Sequence, residues 1–372
     1  MLRAETFFDI LSGTRRGPAA WLLRSLLGMA GFAFGQIVWL RNLCYDWGLA
    51  KVHRMAVPVV SVGNLTLGGT GKTPAVAWLA RWFQQHGVRV AVLSRGYGAQ
   101  AGSPNDEAME LQQSLPNVPH LQNPDRVAAA QTAIGQGARL ILLDDAMQHR
   151  RIGRNLEIVL LDASAPFGIG SVFPGGTLRE PVRSVRRADI VILSRADMLE
   201  PSEREQVWTR VNRWAAKAVY AEAAHAPVSL RSASGITCQI DALAGKPVAA
   251  FCAIGNPTGF RHTLAALGVA PVGFRVFPDH HRYSKADVAS LTEWAEQLGA
   301  AAIVCTHKDL VKLGTDTLGT APLWAVAIEL RFLGGQEAVE RQLKRLLPAC
   351  SEQACSKQAC SEPPLGPARH SR

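Results

Sequence analysis

The stretch Ser61-Val-Gly-Asn-Leu-Thr-Leu-Gly-Gly-Thr-Gly-Lys-Thr-Pro74 decides the fold. Its apolar start reaches back to Val57, so Val57 to Gly63 reads as a buried strand, and Thr73 to Gln85 reads as a helix that tolerates Pro74 in its first turn. A glycine-rich turn between such a strand and helix aims backbone N–H groups and the positive helix end at phosphates. Thr66, Leu67, Gly68, Gly69, Thr70, Gly71, Lys72 and Thr73 form this candidate cradle. Lys72 is placed for β- and γ-phosphates, and the Thr73 hydroxyl for Mg2+. Thr66 stands where the usual pattern has its first glycine.

Outward from this unit the chain repeats short apolar runs at helix-length intervals. Arg89–Ser94, Arg139–Asp144, Glu157–Asp162 and Asp189–Ser194 lack polar alternation, as strands covered on both faces do. A second α/β unit follows, with strands at Pro247–Cys252, Ala301–Cys305 and Leu323–Ile328 and helices at Gly259–Leu267, Lys285–Gln297 and Gln336–Leu346. Ser229–Ala244 fits strand or linker equally. The expected fold is α/β: a P-loop NTPase-like, mostly parallel sheet with helices on both faces, a smaller C-terminal α/β domain and an N-terminal membrane-associated helix. The expected divisions are 1–54, 55–240, 241–348 and a disordered tail over 349–372.

Apolar residues make up 48% and charged residues 19% of the chain, which excludes a disordered chain or a coiled coil. The net charge of +10 calls for anionic company. Nucleic acid is disfavoured, because no aromatics interleave with basic runs and only four tyrosines occur. Ser25 to Leu40 carries no charge. As a helix that segment reaches about 24 Å, short of a roughly 30 Å hydrocarbon core. Flanking Arg15, Arg16, Arg24, Arg41, Lys51 and Arg54, with Trp21 and Trp39, suit an interfacial anchor. Cys350, Cys355 and Cys360 sit in a repeating tail that lacks paired metal-ligand spacing.

Acids at strand ends are the next candidates. Asp144-Asp145 closes a buried run and suits the metal side of a phosphate site. Asn105-Asp106-Glu107 is expected in a loop on the same edge, and Pro278-Asp279-His280-His281 could face it across a cleft. By spacing alone, a surface position serves these acids and histidines as well as a catalytic one.

Six stretches in order carry a resemblance. They are the one quoted first, Leu93-Ser-Arg-Gly-Tyr-Gly98, Asp144-Asp145-Ala-Met-Gln148-His149, Leu178-Arg-Glu-Pro181, Phe277-Pro-Asp-His280 and Thr306-His-Lys-Asp309. With them the chain resembles the tetraacyldisaccharide 4'-kinase (lipid A 4'-kinase) family from the N-terminal helix to about Leu347. The family's P-loop also begins with a small hydroxyl residue. Ala146-Met147 and Asn105 to Ala108 depart from the family's Gly-Phe and Gly-Asp-Glu-Pro.

The resemblance implies transfer of the ATP γ-phosphate to the 4'-hydroxyl of a tetraacylated glucosamine disaccharide 1-phosphate. It implies a peripheral enzyme on the cytoplasmic leaflet of the bacterial inner membrane, with ATP and Mg2+ and no obligate protein partner evident. Asp106 is then the base, with His280 coupled to it and Asp279 beside it. Glu107 and Asp144 surround Mg2+ with Thr73, while Asp145 and His149 lie nearby. Arg126, Arg179 and Glu180 match positions serving substrate or nucleotide phosphates. Arg183, Arg186 and Arg187 suit either a phosphate or a solvated helix face. Rival readings fit less well: a partitioning ATPase needs a lysine where Leu67 stands, and a GTPase needs Asn-Lys-x-Asp where Ser194-Arg-Ala-Asp197 stands. A ligase or synthetase on the same fold stays open.

Overall fold

The computed structural model describes residues 4–96 and 106–347, and for Ala4, Glu5 and Glu107 the backbone alone. The cysteine-containing tail and residues 97–105, with the Asn105 of the expected acidic stretch, lie outside the described residues.

Helices α1 (Ala4–Ser12) and α2 (Pro18–Asp46) precede the sheet. Helix α2 extends well past the uncharged segment Ser25 to Leu40, because Arg24 and Arg41 lie within it and the helix runs for 29 residues. That is about 44 Å, long and apolar enough to cross a membrane by length and composition. Its two arginines are engaged by the protein itself: Arg24 Nε donates to the Ile10 carbonyl at 2.8 Å, and Arg41 donates to the Gln148 carbonyl.

One stripe of α2, Gly31, Gly35, Val38 and Asn42, is buried, whereas Trp21, Leu26, Phe32 and Ile37 are exposed. The glycines let two backbones meet. A Cβ on Gly31 would lie 2.4 Å from the Val172 carbonyl oxygen and 2.7 Å from the Gly175 nitrogen.

The described residues then form one 13-stranded sheet. Its first half contains β1 (Val59–Asn64), α3 (Lys72–Gln85), β2 (Val90–Ser94), α4 (Asp106–Ser114), β3 (His120–Gln122), α5 (Arg126–Gly135), β4 (Leu140–Asp144), β5 (Leu156–Asp162), β6 (Ile190–Ser194), α6 (Pro201–Ala215), β7 (Val219–Arg231) and β8 (Thr237–Cys238). The second half contains β9 (Val248–Cys252), α7 (Pro257–Ala266), β10 (Gly273–Val276), α8 (Lys285–Gln297), β11 (Ala302–Thr306), α9 (His307–Leu313), β12 (Thr317–Leu318), β13 (Ala321–Gly334) and α10 (Gln336–Lys344). The strand order is β10-β9-β11-β13-β7-β6-β5-β1-β4-β2-β3. Every pairing along it is parallel except β13 with β7. That antiparallel seam of two long strands makes the two α/β halves one continuous sheet.

Alternate residues of each strand feed opposite faces. Val60, Val62, Leu140 and Leu142 meet Val76, Leu79 and Phe83 of α3, joined by Val339 and Leu343 of α10. On the other face, Val59, Leu93, Ile141 and Leu143 meet Val127, Ala130 and Ala133 of α5. Phe83 is fully buried, so its truncation to alanine costs about 3–5 kcal/mol. Local capping sets the helix starts: the Asp125 side chain accepts from the Val127 amide at 3.0 Å, and Ser284 and Asp287 form a capping box for α8.

Asp106 is corrected from loop to helix, being the first residue of α4. An acid in the first turn is favoured there by the helix dipole. The β1 position beside β4 and β5 puts the following turn at a switch in strand order, where ligands bind in open parallel sheets.

Candidate active site

Beyond Asn64 the chain is held from the side before it turns into α3. The Leu67 amide donates to the Thr177 carbonyl at 2.8 Å and the Arg179 amide to the Leu65 carbonyl at 2.7 Å, with a β-bridge between Thr66 and Leu178. Thr66 lacks a left-handed backbone, so this position does not need the glycine that the common pattern supplies. Gly71 does: its φ is +77°, and a Cβ there would lie 2.3 Å from His225 Nε2. Lys72 Nζ donates to Asn64 Oδ1 at 3.4 Å and pairs with Asp145 Oδ1 at 3.4 Å.

The β4 end supplies the acids. Asp144 is buried and its backbone carbonyl accepts from Arg126 at 3.0 Å, as does that of Asp145 at 3.2 Å. Arg126 thus fixes the acid turn, and burial lowers the pKa of its guanidinium. Asp145 takes a left-handed backbone, φ +50°, and pairs with Arg179 at 2.6 Å. Burial alone would raise its pKa, but Lys72 and Arg179 outweigh that and hold the carboxyl far below the usual range. Burial, helped by Arg126 and Arg154, pushes the His149 pKa down to about 4, so its ring is neutral at pH 7.

Glu180 does not join them at the cleft. It is 1% exposed, accepts from Asn42 Nδ2 at 2.9 Å and pairs with Arg187 at 2.9 Å. The nearby arginines likewise fasten α2: Arg186 pairs with Asp46 at 2.8 Å, and Arg183 stacks over Trp39 at 5.8 Å from the ring centroid.

Across the cleft, Asp106 meets the second half. Its Oδ2 lies 3.5 Å from His280 Nδ1 and 3.1 Å from Lys312 Nζ. Burial raises the Asp106 pKa, yet Lys312, His280 and Lys308 together leave it lowered. His280 takes φ +60°, and its amide donates to Asp279 Oδ1 at 3.0 Å. Lys72, Thr73, Asp144, Asp145, Asp279 and His280 line one cleft of about 990 Å³. Asp145, Arg195 and His280 are the described non-glycine residues with left-handed backbones, and all three face that cleft. Such clustering of strained positions is a mark of functional sites.

Among the described residues no three His, Cys, Asp or Glu side chains form a ready metal cage. The Thr73 hydroxyl and Asp144 carboxylate on the cleft are the hard oxygen donors that suit Mg2+, which keeps waters and shares phosphate ligands.

Sequence reasoning missed Lys312 and a cross-cleft cluster. Arg195 pairs with Asp162, whose Oδ2 also accepts from Asn256 Nδ2 at 3.2 Å. Asp197 lies 2.6 Å from His262 Nε2. The sequence signal for this cluster is Ser194-Arg-Ala-Asp197 at the end of β6, a stretch that as a guanine-binding motif is a poor match.

A phosphate-cradling turn, a lysine–acid pair behind it and an acid–histidine pair on the facing wall define a P-loop phosphotransferase with an acceptor side. The family model for tetraacyldisaccharide-1-P 4'-kinase matches residues 23–348. The tetraacyldisaccharide 4'-kinase of Anaeromyxobacter sp. (strain K) is 38% identical over 91% of this chain and 94% of its own. That of Syntrophus aciditrophicus (strain SB) is 39% identical over 85% of this chain and 90% of its own. The crystal structure of LpxK from Aquifex aeolicus in complex with ATP aligns with TM-score 0.68 and 27% identity, over 88% of this chain and all of that one. The chain belongs to the tetraacyldisaccharide-1-P 4'-kinase family. It is a kinase that phosphorylates the lipid A precursor at its 4' position, within lipid A biosynthesis.

Proposed function

We propose that the donor is MgATP and the acceptor the 4'-hydroxyl of a tetraacylated glucosamine disaccharide 1-phosphate, met at the cytoplasmic leaflet of the inner membrane. The observation carrying this reading is that His280, in contact with Asp106, lines the same cleft as Lys72 and the P-loop. A phosphoryl donor and a hydroxyl acceptor thereby have facing walls. ATP as donor is supported by the ATP complex of the Aquifex aeolicus relative.

In this mechanism the P-loop amides and Lys72 hold the β- and γ-phosphates, with Asp145 keeping the ammonium aimed. Thr73, Asp144 and Glu107 are the residues to hold Mg2+, which when bound offsets charge on the phosphate oxygens. The 4'-oxygen forms a bond to the γ-phosphorus as the bond to the bridging oxygen breaks and ADP leaves. The hydroxyl proton passes to Asp106. A carboxylate of lowered pKa suffices, because phosphoryl transfer is loose and the alcohol becomes acidic only as its bond to phosphorus forms. His280 orients that carboxylate.

The exposed apolar side of α2 supports the membrane location, since a sugar on a lipid emerges at that surface. The test is incubation with γ-labelled ATP and monophosphorylated lipid disaccharide, with the label located in the lipid product. Asp106→Ala is expected to lower kcat by about 10³-fold with little change in KM for ATP. A near-normal kcat would remove Asp106 from the role of base.

A further inference from the structure

Helix α9 touches α4 at two places. His307 Nε2 lies 2.7 Å from Gln113 Oε1, and Lys312 Nζ lies 3.1 Å from Asp106 Oδ2. One end of α9 therefore holds the far end of α4, and its other end holds the acid that begins α4. Lys312 is only 8% exposed. An ammonium so covered is costly unless a negative group stands against it, and the carboxylate in contact with it is that of Asp106. His280 reaches the same oxygen from a different loop. Asp106 Oδ2 is thus occupied by two cationic or hydrogen-bonding neighbours of the second half, while the residue itself belongs to the first.

We infer that Lys312 is a positioning residue for phosphoryl transfer, fixing Asp106 through Oδ2 so that Oδ1 is the atom presented to the acceptor hydroxyl. Asp106, His280 and Lys312 then form a three-membered unit. A histidine alone, 56% exposed on its side chain, could not hold the carboxylate in one rotamer. The well-covered lysine supplies the second contact, an ion pair at 3.1 Å to the same oxygen, shielded from water and so screened less than a surface pair. This inference rests on the reading of Asp106 as base.

The experiment uses the full chain with lipid substrate in detergent micelles, and compares Lys312→Met, Lys312→Arg, Asp106→Asn and Lys312→Met/Asp106→Asn. Lys312→Met is expected to lower kcat by ~10–100-fold with KM for ATP and the affinity for an ATP analogue within about 2-fold. Lys312→Arg restores most of the loss by keeping a cation on Oδ2. In the Asp106→Asn background the methionine is expected to lower kcat by less than about 2-fold, because the partner it served is gone. An intact kcat in Lys312→Met beside a damaged Asp106→Asn overturns the inference alone. So does a loss from Lys312→Met that persists undiminished in the double variant. A near-normal Asp106→Asn overturns the base reading and this inference with it. Should the methionine variant fail to fold, Lys312→Gln, of similar length and uncharged, takes its place under the same criteria.

Discussion

Asn42 of the exposed apolar helix donates a 2.9 Å hydrogen bond to Glu180, the residue that follows the partner of Asp145. Helix and acid turn are also joined by Arg150, which donates to the Asn42 carbonyl at 2.9 Å and pairs with Asp46 at 2.7 Å. The apolar helix is therefore built into the wall of the cleft.

Glu180→Ala leaves the half-buried guanidinium of Arg187 with only the Met147 carbonyl, at 3.4 Å, and no charged partner, and takes the Glu180 acceptor from the amide of Asn42. A loss of about 3 kcal/mol in unfolding free energy is expected, read as a lower urea midpoint. Asn42→Ala removes the neutral partner and costs about 1 kcal/mol. A Glu180→Ala midpoint equal to the parent would contradict this account.

Removing residues 1–54 wholesale cannot isolate membrane attachment, since Arg41, Asn42 and the His53 amide, bonded to the Arg151 carbonyl at 2.8 Å, support the acid turn. Leu26→Ser, Phe32→Ser and Ile37→Ser together change exposed side chains only; their exposures are 49%, 70% and 64%. Each apolar group buried in lipid contributes about 1.5–3 kcal/mol. The triple variant is expected to lose at least ~100-fold in liposome partitioning by flotation, with its urea midpoint unchanged. Equal flotation would show that this side does not meet lipid.

Gly71→Ala combines a left-handed backbone with a methyl pressed on His225. The backbone cost alone is about 1–2 kcal/mol, so ATP-analogue affinity by calorimetry should fall about 10-fold or more. Adding His225→Ala relieves the contact and leaves the backbone cost, giving partial recovery. Full recovery would place the whole effect in the ring contact.

His307 sets a pH dependence of stability. Burial, with Arg231 nearby, lowers its pKa from 6.5 to about 4 in the fold. Between those values the unfolded chain binds the proton and the native chain does not, so stability rises with pH across this window and falls on acidification. The contribution is about 2 kcal/mol between pH 7.5 and pH 5. His307→Gln should flatten the urea-midpoint profile by that amount. An unchanged slope would mean that His307 is not the group responsible.

The parallel strands were legible because Leu140–Asp144 and Ile190–Ser194 are unbroken apolar runs. The long strand β7 was not, because Val219–Arg231 is rich in alanine and contains Pro227 and His225, giving neither strict alternation nor a branched run. Its pairing with β13 supplies what propensity withheld. In the site, the P-loop and Asp144-Asp145 announced themselves by local pattern. Lys312 could not, since its meaning lies in contact with a residue 206 positions earlier, 312 − 106, and nothing in Leu310-Val-Lys-Leu313 marks it from any surface lysine.

The glycine stripe of α2 has a consequence for genetics. At Gly31 the opposing atoms belong to the main chain of Val172 and Gly175, and no amino-acid replacement can trim a carbonyl or an amide. A damaging Gly31→Ala therefore has no size-compensating suppressor on the facing loop. The two segments can drift in sequence around this point, but not at it.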